Sequence, residues 1–173
     1  MATNKRVLVA YGSKHGATAE IAERIGKELR GAGLEADVLA AKEVKDLSGY
    51  EAVVLGSGLY IGAWVKGAAN LLKKRADELA RMPVWLFSSG PTGTGDPEKL
   101  VEGKVFPARL EEARDRVKPR GHRLFHGAID RDRLGMLERQ AIKMVKAPLG
   151  DFRDWDAVEE WARGIAGELE ASP

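Results

Sequence analysis

Arg6-Val7-Leu8-Val9-Ala10-Tyr11 runs into Ser13-Lys14-His15-Gly16-Ala17-Thr18, and the reading of this junction decides the fold. Val7 to Ala10 is continuously apolar, the pattern of a parallel strand buried on both faces. The residues behind it are small, hydroxyl-bearing and glycine-containing, and Ile21, Ile25 and Leu29 then recur at helical spacing. A helix therefore begins inside the turn. Its first N–H groups have no intrahelical partner and carry the positive end of the helix dipole, so the turn can hold a phosphate. Ser13 and Thr18 add hydroxyl donors, and Gly16 lets the backbone come close to a ligand.

Outward from this junction, β-branched runs alternate with longer helical patterns. The strands are expected at 6–12, 35–40, 52–57, 83–89 and 122–129, and the helices at 17–31, 64–80, 104–118, 133–146 and 154–170. Gly31-Ala32-Gly33 supplies a helix stop, and Asp154 an N-cap for the last helix. This alternation is that of an α/β, doubly wound, five-stranded parallel sheet with helices on both faces. At 173 residues it reads as a single domain over 1–173. With no cysteine, disulfides, thiolate metal sites and thiol chemistry are excluded. A net charge of +2, with the signs interspersed, argues against a nucleic-acid partner. Met1 to Arg6 shows no signal-peptide pattern and the chain has no apolar run of membrane-spanning length, so a cytoplasmic location is expected.

In open α/β sheets, ligands bind beyond the carboxyl ends of the strands, where the strand order reverses. Two further loops there are unusual. After the third strand comes Gly56-Ser57-Gly58-Leu59-Tyr60-Ile61-Gly62-Ala63-Trp64, glycine-rich yet carrying large apolar side chains suited to a flat ring. After the fourth comes Ser88-Ser89-Gly90-Pro91-Thr92-Gly93-Thr94-Gly95-Asp96, small and polar enough to reach the edge of such a ring.

These three loops, in this order, resemble the phosphate motif and the two flavin-binding loops of the flavodoxin-like FMN-binding family. Gly56 to Gly62, the segment Leu134 to Gly150 and the helix start at Asp154-Trp155-Asp156-Ala157-Val158 are most similar to the menaquinone-dependent protoporphyrinogen oxidase group. The resemblance implies strand order 2-1-3-4-5 and FMN as cofactor, although a deazaflavin meets the same demands. It implies that Ser13, Lys14, His15, Gly16, Ala17 and Thr18 bind the phosphate. Leu59, Tyr60, Ile61 and Gly62 would line one flavin face, with Trp64 near its edge, and Ser88, Ser89, Gly90, Pro91 and Gly93 would meet the other side. No side chain is assigned as catalytic, because the flavin N5 would carry the hydride chemistry.

Two departures from the family pattern stand out. His15 takes a position where flavodoxins usually have threonine, and the loop after the fourth strand lacks the aromatic that often stacks on the flavin. The second leaves one flavin face open to a substrate or quinone. His122 and His126 read as parts of the last strand and its flank.

About twenty residues, 131–150, separate the last strand from the last helix, more than usual connections need. Within them Leu134, Leu137, Ala141, Met144 and Val145 share one helical face, and Arg131, Arg133, Arg139, Lys143 and Lys146 lie elsewhere. The segment reads either as a helix on the domain edge with a solvated basic face or as a peripheral contact with anionic membrane.

The implied activity is electron transfer from a reduced tetrapyrrole-like donor to a quinone or redox-protein acceptor. The alternatives are a flavodoxin electron carrier and an NAD(P)H:quinone reductase. Carriers of this family are typically strongly acidic, unlike this chain, and no nicotinamide site is evident. A phosphorelay receiver would need an aspartate after the third strand, where Gly56-Ser57-Gly58 stands. The oligomeric state is not readable.

Overall fold

The structure is a computed structural model that describes residues 5–172; Met1–Asn4, read above as part of the lead into the first strand, and Pro173 lie outside the described residues. Its central sheet holds five parallel strands, β1 (Arg6–Gly12), β2 (Glu35–Ala40), β3 (Ala52–Tyr60), β5 (Val84–Ser89) and β6 (Gly121–Phe125). Their order is β2-β1-β3-β5-β6, with the two-residue strand β4 (Ala63–Trp64) antiparallel to the end of β3. Counted along the five parallel strands alone, this is the expected 2-1-3-4-5. The order reverses between β1 and β3.

Alternate side chains of each strand feed two cores. Val7, Val9, Val54 and Phe87 pack with Ile21 and Ile25 of α1 (Ala17–Gly31) and with Val158 and Ile165 of α7 (Trp155–Ala171). Leu8, Ala10, Val53, Leu55 and Leu86 pack with Leu72 of α2 (Lys66–Lys74), Leu79 of α3 (Ala76–Leu79) and Val117 of α5 (Glu111–Val117). Each buried Val or Leu contributes about 1.5–3 kcal/mol, so the sheet is firmly held on both faces. Helix ends are equally determined. At the end of α1, Leu34 N–H donates to Leu29 O (3.1 Å) and Gly33 N–H to Arg30 O (3.0 Å), with Gly33 at φ 94°. That is a Schellman stop, and its Leu34–Leu29 pair lies in the core. At the start of α7, Asp154 Oδ1 accepts from Ala157 N–H (3.1 Å).

Several expected boundaries move, each for a local reason. The strand expected at 52–57 continues to Tyr60 because its end folds back as a hairpin onto β4. The helix expected over 64–80 starts at Lys66, since Trp64 belongs to β4, and it breaks at Arg75 (φ −112°, ψ 18°) into α2 and α3. The helix expected from 104 starts late, because Pro107 disfavours helical backbone at Phe106; a 3-10 turn at Ala108–Leu110 leads into α5. A short helix α4 (Pro97–Leu100), capped by Asp96, was not expected.

The last expected strand, 122–129, is split. After Phe125 the chain leaves the sheet and forms β7 (Ala128–Ile129), which pairs antiparallel with β8 (Gly150–Asp151). The insertion between them, containing α6 (Met136–Val145), is thereby closed at its base. Among the described residues no helix is long and apolar enough to cross a membrane.

Candidate functional site

The carboxyl ends of β1, β3 and β5 bring the three loops together, and side chains tie them pairwise. Lys14 N–H donates to the Tyr60 hydroxyl (3.2 Å), joining the first loop to the second. Thr18 Oγ1 and Ser89 Oγ lie 2.8 Å apart, joining the first to the third. Trp64 Nε1 donates to Ser88 Oγ (2.9 Å), joining the second to the third. Beneath them, Ser57 Oγ accepts from Val65 N–H and donates to Gly58 O (both 2.9 Å), fixing the base of the hairpin.

In the first loop, Gly16 stands at φ 94° as the N-cap of α1, a left-handed conformation that favours glycine. Its N–H donates to Ser13 Oγ (3.0 Å). Thr18 is only 2% exposed, so its hydroxyl lies beneath the turn. Among the described residues the N–H groups of His15, Ala17 and Thr18 have no hydrogen-bond partner. These donors, with the Lys14 ammonium 4.7 Å above the Tyr60 ring, suit a phosphate.

The second loop is a tight hairpin. Leu59 pairs with Trp64 and Tyr60 with Ala63, leaving Ile61 and Gly62 as the two turn residues, at φ 50° and 73°. Positive φ at both positions is what a type I′ turn requires. For a β-branched residue this is an outlier, with strain of order 1–3 kcal/mol, and Ile61 is 99% exposed. The sheet thus presents an apolar side chain to solvent at the end of its central strand. Tyr60 folds back over Gly58, where a Cβ would stand 2.8 Å from the ring, and burial pushes its phenol pKa up. Trp64, by contrast, is 6% exposed and packs edge-on to Phe106 in the core.

The third loop runs against the second and is clamped from outside. A Cβ on Gly90 would come within 3.1 Å of Leu59 O. Pro91 O accepts from Gly127 N–H (2.9 Å), and the His126 ring nitrogens reach Pro91 O (3.3 Å) and Gly95 O (2.7 Å). Gly93 sits at φ 110°. Gly127 abuts Gly90 so closely that a Cβ there would lie 2.8 Å from Gly90 Cα. His126 and Gly127 were not read as site residues; a glycine inside a strand pattern was the available signal.

The insertion also reaches the site. His15 Nε2 lies 2.7 Å from Glu138 Oε2, and Arg133 Nη1 donates to His15 O (2.9 Å). The hydrogen bond from His15, reinforced by Gly135 N–H, holds the Glu138 carboxyl below its usual range. No residue of α6 is buried. Its more covered side mixes Glu138 and Arg139 with Ala141 and Ile142, while Met136, Leu137, Met144 and Val145 are 71–85% exposed. The helix does sit on the domain edge; of the face expected to be apolar, Leu134 and Ala141 are half-buried and Leu137, Met144 and Val145 point outward.

Ser88 Oγ further lies 3.4 Å from His122 Nε2, and burial, aided by the Arg114 charge, pushes this imidazole from 6.5 down to about 4. Between those values the unfolded chain takes up the proton first. The His122 contribution to stability should therefore be full above about pH 6.5, fall as pH drops through the window, and level off below about pH 4, a change of up to about 3 kcal/mol. Urea unfolding at about pH 7.5 and 4.5 tests this. The difference between the two should shrink in His122→Gln, and an unchanged difference would refute the assignment.

Comparisons with known proteins agree with this geometry. Over 172 residues the chain is 26% identical to protoporphyrinogen IX dehydrogenase (quinone) of Escherichia coli, covering 93% of this chain and 94% of that protein. A flavodoxin from Pseudomonas aeruginosa superposes with a TM-score of 0.63 at 18% identity, over 95% of this chain and 99% of its own. The rubredoxin oxygen:oxidoreductase of Desulfovibrio gigas superposes with a TM-score of 0.63 at 15% identity, over 98% of this chain but 37% of its own. Residues 8–156 match the profile of the flavodoxin domain, and with the strand order and the three loops already in place, the chain belongs to the flavodoxin family.

Proposed function

We propose that the protein is an FMN-dependent oxidoreductase that passes electrons from a reduced tetrapyrrole-like donor to a quinone. The observation that carries this reading is the pairwise tying of three loops, one donor-rich, one apolar and one small and polar, at the reversal of strand order. Bound there, FMN would supply hydride acceptance and onward electron transfer.

The chain's own residues bind and orient it. The backbone of Ser13 to Thr18 and the Lys14 ammonium receive the phosphate. Leu59 to Gly62 cover one ring face, and their strained apolar tip gains a partner. Ser88 to Gly93 meet the ring's polar edge. With no aromatic in that loop, the neighbouring side stays accessible to donor and acceptor. The similarity to a quinone-dependent dehydrogenase supports the acceptor. The exposed Met136, Leu137, Met144 and Val145, with Lys143 and Lys146 beside them, support contact with an anionic bilayer, the phase in which such quinones dissolve.

The protein should purify yellow and release FMN on denaturation, and its reduced form should be reoxidised rapidly by a menaquinone analogue, faster in anionic than in zwitterionic vesicles. A colourless protein that cannot be reconstituted with FMN would overturn the cofactor. Slow reoxidation by quinone beside fast transfer to a protein acceptor would reassign the chain as an electron carrier.

A further inference from the structure

We propose that Arg133, supplied by the insertion, is a direct ligand of the cofactor's phosphate, positioned by the His15–Glu138 hydrogen bond; this rests on the FMN reading above.

Four observations converge on this residue. First, its guanidinium lies on the phosphate turn itself. Nη1 donates to His15 O, and a Cβ on Gly16 would stand 3.2 Å from it. Second, most of its donors are unused. Nη1 makes its one hydrogen bond, Nε has only a loose 3.6 Å approach to Asp130 Oδ2, and Nη2 has no partner among the described residues. Third, it lines a cleft of about 370 Å³ beside the turn, together with His15, Arg131 and Arg153; of the carboxylates there, Glu20 and Asp151 are paired with Arg153, and Asp130 makes only the loose approach to Arg133. Fourth, the neighbouring arginines are not placed for this role: Arg153 is paired with both Asp151 and Glu20 and donates to Ala17 O, while among the described residues the Arg131 side chain makes no hydrogen bond to the turn. Lys14 supplies a point charge from the turn, and Arg133 adds the planar fork that Lys14 lacks.

The chemistry of the turn explains why a cation is useful there. Gly16 N–H is taken by Ser13 Oγ and Lys14 N–H by Tyr60, and the Thr18 hydroxyl shares a hydrogen bond with that of Ser89. Two of the turn's backbone N–H donors are therefore committed within the protein, leaving those of His15, Ala17 and Thr18. A phosphate carries about −1.5 to −2 charge, and a guanidinium meets it with paired, charge-assisted hydrogen bonds that neutral hydroxyls cannot match. His15 cannot present the same nitrogen to the phosphate while Nε2 is held by Glu138. Its part is instead to anchor α6, and with it the segment bearing Arg133, against the turn.

The test compares FMN with riboflavin, which has the ring and ribityl chain but no phosphate. Wild type should bind FMN more tightly than riboflavin. Arg133→Gln should weaken FMN about ten-fold or more while leaving riboflavin within about two-fold, and Arg133→Lys should recover part of the loss. Glu138→Gln should weaken FMN in the same direction by less, again sparing riboflavin. The Arg133 side chain is about half exposed, so Arg133→Gln does not threaten the fold. Unchanged FMN affinity in Arg133→Gln, or equal losses for both flavins, would overturn the assignment while leaving the flavin site standing. A wild-type protein that binds neither flavin would remove the FMN reading and this inference with it.

Discussion

Gly16→Asp is expected to yield a folded protein that no longer binds FMN. Gly16 has φ 94°, and aspartate is among the few residues that enter this region at modest strain, about 1 kcal/mol. The added Cβ meets only the end of the Arg133 side chain, so the cost is mainly that of the left-handed backbone. Stability should therefore fall by about 1–2 kcal/mol, short of unfolding the domain. Binding should not survive. The new carboxylate stands in the turn that the phosphate needs and beside Arg133, whose Nη1 is 3.2 Å from the position of the added Cβ. It also adds a like charge. At about 5 Å and an effective dielectric of about 20, each unit pair repels by about 3 kcal/mol, and a phosphate carries more than one unit. Together these predict a loss of about three orders of magnitude or more in FMN affinity. Fluorescence titration with FMN and riboflavin, beside a thermal melt, reads all three quantities. Retained FMN affinity would remove the phosphate from this turn, whereas an equal loss of riboflavin would mean that the loop itself had collapsed.

The sheet was legible because its signals are local. Val7 to Ala10, Ala52 to Leu55 and Val84 to Phe87 are short apolar runs with nothing helical about them, and each lies in a parallel strand. The helix stop at Gly33 and the cap at Asp154 are equally local and stand where the residue types imply. Elements of two residues are a different case. Nothing in Leu59 to Trp64 taken alone separates a glycine-rich loop from a hairpin; the distinction rests on Ile61 accepting a positive φ, which its side chain disfavours. The ties that hold the site are hidden for another reason. Thr18–Ser89 spans 71 positions and His15–Glu138 spans 123, so no window of sequence contains both partners. The same limit applies to α6. Periodicity shows that Leu137, Met144 and Val145 share a face but cannot say which way it points. In the structure Glu138 faces the turn through its contact with His15, with Ala141 and Ile142 half-buried beside it, and Leu137, Met144 and Val145 face outward.

That pairing has a consequence for how such a domain acquires an insertion. The β7–β8 ribbon closes the added segment at its base, so the parent sheet need not move to accommodate it. The segment then gives the site a cation through Arg133 and gives the surface an apolar face through Met136, Leu137, Met144 and Val145. Cofactor binding and surface contact would thus reside on one ten-residue helix and its approach, α6 being fixed to the first and open to the second.

Gly56→Ala is expected to cause the largest loss of stability, and it probes the support beneath the site rather than the site itself. Gly56 lies in the middle of β3, paired with Tyr11 on β1 and Phe87 on β5. A Cβ there would stand 2.2 Å from Phe87 Cε1 and Cζ. No real contact is that short, so the ring would have to leave. It has little room to do so: Phe87 is fully buried, with Phe125 and Trp161 ring centroids at 6.1 and 6.0 Å. Overpacking of this kind costs about 1–3 kcal/mol where neighbours can yield, and here about 3 kcal/mol or more, a fall in Tm of roughly 6–12 °C for a chain of this size. Because Phe87 runs directly into Ser88 and Ser89, its displacement should also loosen the ties to Trp64 and Thr18 and weaken flavin binding. The double variant Gly56→Ala/Phe87→Leu discriminates between a steric cause and a backbone one. If the ring is the obstacle, the two changes together should cost clearly less than their sum, a coupling of about 1 kcal/mol or more by urea unfolding. Strict additivity would mean that Gly56 is needed for its backbone and not for the space it leaves to Phe87.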